Sequence, residues 1–215
     1  MALTFTSSRI RRAVAAAGVA SLAVLVVAPP AGASTTSSDK KTTIDTYKGW
    51  DGASYLYPFG NPETSNYGQV VTIPAGNKTV KSFTFYMADN TGTGTLTMRG
   101  EIYGWDGTKA TTKVYESKPV TLDITAGDTE YYPVTIKAKK AKVTPGQQYV
   151  LFLTVDKDYE ANPANVLSQW AENYSDVYTG GYTVYLNSDG DESQWTTVPW
   201  SSISTFDHAF KATFK

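Results

Sequence analysis

Two acids in this sequence stand where a sugar-cleaving pair could be built. Glu101 lies in "TLTMRGEIYGW", on the same strand face as Arg99 and Tyr103, and Glu116 closes the next run, "KVYES". Two carboxyl groups roughly 5–9.5 Å apart are what a glycosidase needs. The competing reading is an ordinary surface ion pair between Arg99 and Glu101, which contributes little. The remaining chemistry is thinner. His208 is the only histidine and there is no cysteine, so a transition-metal site lacks its usual ligands and a cysteine nucleophile is excluded. No Gly-x-Ser-x-Gly elbow accompanies the histidine. A lone histidine in an alternating strand reads as a half-buried, hydrogen-bonded side chain.

Calcium is the one cofactor the acids could hold. "DKDYEANPAN" offers Asp156, Asp158 and Glu160, and "NSDGDE" offers Asn187, Asp189, Asp191 and Glu192. Hard oxygen ligands at alternate positions suit calcium. Neither loop matches an EF-hand, because Glu192 stands where that loop requires glycine. Solvated turn acids are the default expectation.

Aromatic side chains are the most telling feature, with 5 Trp and 15 Tyr in the chain. Trp170, Tyr174 and Tyr178 fall in "SQWAENYSDVYTGGYTVY", and Trp195 and Trp200 fall in "SQWTTVPWSS", surroundings rich in Asn and Ser. Trp105 precedes the Asp106-Gly107 hairpin signal. Such rings could form a platform for sugar rings, whose C–H faces are apolar and whose edges are hydroxyls. They could equally plug the ends of a sandwich. Trp105, Trp170, Tyr174 and Trp195 are the candidate ligand-binding residues. Trp200, beside Pro199, is expected to plug.

The elements that must carry these residues are written in period two. "KSFTFYM", "TLTMRGEIYGW" and "FDHAFKATF" alternate large apolar with polar residues. "YVLFLTV", residues 149 to 155, is apolar on both faces, as a central strand covered on each side would be. Further strands are predicted near 53–58, 67–73, 112–117, 119–124, 130–137 and 181–187, separated by Asn-Pro, Asp-Gly, Pro-Gly and Gly-Gly turns. Outside the N-terminal 33 residues no window shows a helical stripe. The expected fold is all-β, an antiparallel two-sheet sandwich of jelly-roll type.

"GQVVTIPAGNKTVKSFTFYM", "IYGWDGTKATTKVYES", "VTPGQQYVLFLTV" and "DHAFKATF" together resemble a group of bacterial secreted β-sandwich domains. Its members share a Tyr-x-Trp-Asp-Gly hairpin and a terminal Asp-x-Ala-Phe-x-Ala-Thr-Phe strand, and some carry a PEP-CTERM-type sorting tail. The likeness runs from about Gly68 to Phe214. It implies the fold and the compartment and transfers no catalytic residue. His208 falls where the group has an apolar residue, which argues against a general catalytic role.

Residues 1–33 read as a signal peptide: Arg9, Arg11 and Arg12 precede an apolar run, and Ala31-Gly32-Ala33 offers a cleavage site before Ser34. Arg11-Arg12 hints at twin-arginine export. The run is too short for a membrane span and ends at Pro29-Pro30. Residues 34–43 read as a flexible leader and 44–215 as one domain. Removing 33 of 215 residues leaves 182, with 16 of the 19 basic residues against 20 acidic ones, a charge of −4. That balance argues against a nucleic-acid partner. The basic run "KAKKAK", 137–142, reads as a solvated or protected strand edge. The expected protein is a secreted, extracellular monomer with no membrane anchor. Its expected function is non-catalytic binding of an extracellular polysaccharide or cell-wall glycan, with a small hydrolase or lyase, or a purely structural role, as alternatives.

Overall fold

A strand that is apolar on alternate residues has one face to bury, and two sheets of such strands bury each other. The structure, a computed structural model, describes residues 41–215; the expected signal peptide and most of the leader lie outside them. Fourteen strands follow in chain order: β1 (Thr42–Asp45), β2 (Tyr55–Phe59), β3 (Asn66–Thr72), β4 (Thr79–Thr91), β5 (Gly94–Trp105), β6 (Ala110–Glu116) and β7 (Val120–Ile124). The second half supplies β8 (Tyr132–Lys142), β9 (Gln148–Thr154), β10 (Leu167–Asn173), β11 (Thr183–Leu186), β12 (Ser201–Ile203), β13 (Asp207–His208) and β14 (Phe210–Phe214). Helix is confined, among the described residues, to two 3-10 turns and the short α1 (Gln194–Thr197).

Every pairing between these strands is antiparallel. In one sheet β2, β10, β4 and β8 lie side by side; in the other β3, β9, β5 and β6 do. The chain thus crosses between sheets at β2–β3, β3–β4, β4–β5, β7–β8, β8–β9 and β9–β10. This interleaving is the jelly-roll winding. β14 adds to β4 alongside β10 and carries β1 on its far side, while β11 and β12 extend the second sheet beyond β3.

Between the sheets lies the main core, with Phe83, Phe85 and Met87 of β4 and Trp170 of β10 facing Leu96, Met98, Leu151 and Leu153. Gly100 sits on the inner face of β5, where a Cβ would run into the side chain of Ile136 on the opposite sheet. A second, smaller core covers the outer face of the second sheet. There Val150 and Phe152 meet Tyr103, Trp105, Leu186, Trp195 and Trp200. The two-faced apolar pattern of 149–155 is explained by these two layers: Leu151 and Leu153 point into one core, Val150 and Phe152 into the other.

Three strands depart from the sequence expectation. β1 begins at Thr42, inside the segment expected as leader, because its backbone adds to the edge of β14 while only Ile44 supplies apolar contact. β10 falls in a stretch read as loop, since its buried positions include Ser168, Glu172 and Asn173 as well as Trp170. Polar residues at interior positions erase the alternation that marks a strand. The short β12 is also new and pairs only with β11.

Candidate functional site

The carboxylates come first. Glu101 on β5 and Glu116 on β6 are direct cross-strand partners, so one hairpin brings them together. The surface ion pair expected between Arg99 and Glu101 does not form; Arg99 Nε lies 3.0 Å from Asp158 and its Nη1 3.5 Å from Glu116. Lys157 occupies the centre, its Nζ 2.7 Å from Glu116, 3.2 Å from Glu192 and 3.8 Å from Glu101. Glu101 is 0% exposed, and neither of its carboxyl oxygens has a hydrogen-bond partner among the described residues. Burial pushes its pKa up to about 8, against the opposing pull of Lys157. Glu116 is held below the usual range, chiefly by its hydrogen bond from Lys157. Burial works against the charge of Lys157, yet Glu116, Glu101 and Glu192 outweigh it and raise its pKa.

A protonated acid beside an ionised one is the electronic arrangement of a glycosidase. Here, however, the acid is sealed beneath Lys157, whose Nζ stands 5.8 Å from the centre of the Trp195 ring. No sugar oxygen reaches a carboxyl group with no exposed surface. The cluster is a closed ion-pair network.

The calcium candidates are likewise occupied. Asp156 accepts from Asn66 Nδ2 at 2.9 Å, Gly190 N at 3.0 Å, Trp195 Nε1 at 2.6 Å and the Ser188 hydroxyl. Asp158 faces Arg99, Asp189 accepts from the Tyr159 hydroxyl at 3.2 Å, and Asp191 accepts from the backbone and hydroxyl of Ser193. Among the described residues no three acids or histidines converge as a metal cage. His208 is buried with its Nδ1 2.5 Å from Glu172 Oε2, and Glu172 also accepts from Thr183 Oγ1 at 2.6 Å. This pair belongs to the interior.

The expected tryptophan platform is overturned. Trp170 is 0% exposed and packs among Phe59, Tyr67, Phe85 and His208 in the main core. Trp195 is 1% exposed and stands edge-on to Tyr103 and Phe152. Trp105 is buried, donates to the Tyr182 hydroxyl at 3.0 Å and meets Trp200 edge-on. Trp200 plugs the second core, as its position beside Pro199 implied. The segment 187–200 is a lid over the second sheet, and its rings are polar-flanked because they point inward while the chain itself faces solvent.

Tyr174, by contrast, is 54% exposed, and it belongs to a surface that sequence reasoning missed. On β4 and β10 the outward positions include Tyr86, Ala88, Asn90, Gln169 and Ala171. The small residues Ala88 and Ala171 are buried although they face outward, so other side chains roof them. Tyr131, one residue before β8, accepts from Gln169 Nε2 at 3.1 Å, across the position of Ala88. Trp50 meets Tyr131 edge-on at 4.6 Å, Tyr47 stacks on Tyr86 at 3.6 Å, and Asn90 Nδ2 donates to Gln169 Oε1 at 3.4 Å. Tyr55 is a cross-strand partner of Ala171, and the hydroxyl of Tyr174 donates to its carbonyl while the Tyr174 ring stacks on Phe206. Burial, together with the nearby Tyr55, Tyr174 and Asp51, pushes the Tyr131 phenol up to about 12 despite its bond with Gln169. Two of the exposed large apolar residues of the described chain, Tyr55 and Tyr174, lie on this side. The tetrapeptide Gly-Trp-Asp-Gly occurs twice, at 49–52 and 104–107, and the earlier occurrence is the available signal: its Asp51 ties down Ala53 and Ser54 and holds the Trp50 loop over the sheet.

Fold and surface together define a jelly-roll β-sandwich with an aromatic outer face. No family model matches the chain, and no curated protein matches it in sequence. Among solved structures it is similar to the cysteine protease and lectin-like domains of Cwp84, a surface layer associated protein of Clostridium difficile, with a TM-score of 0.45 and 13% identity over 71% of this chain. The chain spans 32% of the length of that one. A likeness of this degree transfers no residue and no activity. No helix among the described residues is long and apolar enough to cross a membrane.

Proposed function

We propose that the protein is a secreted, non-catalytic binding module for an extracellular glycan, and that its contact surface is the aromatic strip on the outer face of the first sheet. The observation that carries this reading is the grouping of partly exposed Tyr47, Trp50, Tyr55, Tyr86, Tyr131 and Tyr174 around the amides of Gln169 and Asn90. Ring faces match the C–H faces of sugars, and side-chain amides match their hydroxyls. A hydrolase reading finds no comparable support, since Glu101 is sealed.

The test pairs binding with stability. Trp50→Ala and Tyr131→Ala should lose most retention on insoluble polysaccharides while melting within a few degrees of wild type, because rim rings fill no core cavity. Trp170→Ala should instead destabilise by about 3–5 kcal/mol, as buried Trp truncations do. Wild type that is retained by no glycan would defeat the proposal.

A further inference from the structure

The aromatic strip continues along the same sheet face into a cluster of lysines. Past Tyr86, the hydroxyls of Thr84 and Thr135 bond across β4 and β8 at 2.8 Å. Beyond them Ser82, Lys137 and Thr213 share one cross-strand row. Lys41, Lys81, Lys137 and Lys139 then line, with Ser82 and Thr135, a shallow depression of about 410 Å³. From Ala88 to Ser82 the strand runs six residues, about 20 Å at 3.3 Å each.

None of these four lysines has an acid within ion-pair distance among the described residues. Asp45, midway along the face, is already held between Lys48 and Lys211. Guarding a sheet edge explains lysines on β8, which pairs only with β4. It does not explain Lys81 within β4, which has neighbours on both sides. Four like charges gathered without counter-charge, in a chain with 20 acidic against 19 basic residues, repel one another until an anion arrives.

We infer that this face binds an anionic polysaccharide, its sugar rings lying on the aromatic end and its carboxylate or phosphodiester charges on the lysine end. The inference rests on the reading of the aromatic strip as a glycan surface and names its ligand class. Arginine, whose planar fork suits the phosphates of nucleic acids, is absent from the face; among the described residues Arg99 alone represents it, engaged on the other sheet. Lysines are compact point charges suited to acids spaced along a chain.

The experiment measures binding of the exported protein to polygalacturonate, to a polymer of hexoses joined by phosphodiesters, to a neutral glucan of matched length, to single-stranded DNA and to phosphatidylglycerol vesicles. One of the two anionic polymers should bind about tenfold tighter than the glucan at low salt, the preference vanishing near 0.5 M salt where the Debye length shrinks below 5 Å; which one binds identifies carboxylate or phosphate. Combined Lys41→Ser, Lys81→Ser, Lys137→Ser and Lys139→Ser should abolish that preference and leave glucan binding and melting temperature unchanged. Equal affinity for neutral and anionic polymers, or a preference that survives the lysine changes, overturns the inference and leaves the glycan module standing. DNA or vesicles bound as tightly as the best polysaccharide would also overturn it. Binding to no glycan at all defeats both readings.

Discussion

Glu101 shows how a single side chain acquires its chemistry from where it is placed. A carboxyl whose pKa is higher in the folded than in the unfolded state binds its proton more tightly when folded. Its contribution is complete below the unfolded value and drains away as pH rises through the folded one. For Glu101 that window runs from 4.5 to about 8, and for Asp207, raised mainly by burial, from 3.8 to about 6. The melting temperature should therefore fall between about pH 5 and pH 8, at no more than about 1.4 kcal/mol per pH unit for each group. Glu101→Gln keeps the shape and cannot ionise. It should flatten the decline above pH 6, where Asp207 no longer titrates. A variant whose melting curve declines as steeply as wild type there would show that Glu101 is ionised in its folded site.

At the scale of elements, the lid segment 187–200 depends on one carboxylate. Asp156, at the start of the 3-10 turn after β9, receives donors from β3, from the lid backbone and from Trp195. Asp156→Ala would leave the Trp195 indole N–H and the Gly190 amide without an acceptor, each worth about 1–3 kcal/mol and not additive, while Asn66 keeps the Leu186 carbonyl at 3.0 Å. Differential scanning calorimetry should show a clear loss of stability, and limited proteolysis should cut within the lid before the rest of the sandwich. Because the acids of this region already face protein donors, a chelator should leave the wild-type melting temperature unchanged. A melting temperature that drops with chelator and returns with calcium but not magnesium would make them ligands after all.

At the scale of the molecule, the two sheets approach as closely as they do because Gly100 has no side chain where Ile136 reaches across. Gly100→Ala should force the sheets apart locally and destabilise by about 1–3 kcal/mol, as overpacking does. The accompanying Ile136→Ala, which removes all three side-chain atoms that the new methyl meets, should recover part of that loss. Failure of the pair to couple in a double-mutant cycle would show that the gap between the sheets is set elsewhere. With no cysteine in the chain, thiol reductants and disulfide-forming oxidants such as oxidised glutathione should leave all these values unchanged.

The strands themselves were legible because alternation is a local property, and β4, β5, β9 and β14 all fall where it placed them. The apolar character of both faces of 149–155 even foretold a second covering layer. What covers it was not legible. A period-two pattern says which face of a strand wants burial, and it is silent on which distant segment folds over that face. Trp170 and Trp195 look like loop rings because their neighbours are polar, yet β10 carries its polar residues into the interior and the lid turns its rings inward. Trp50, Tyr86, Tyr131 and Tyr174, far apart along the chain, share a surface only because β4 pairs with both β8 and β10 in one register. Local composition determined the fold class; exposure, and with it the candidate surface, was decided by which strands pair, since accessible area depends on neighbours that sequence distance does not reveal.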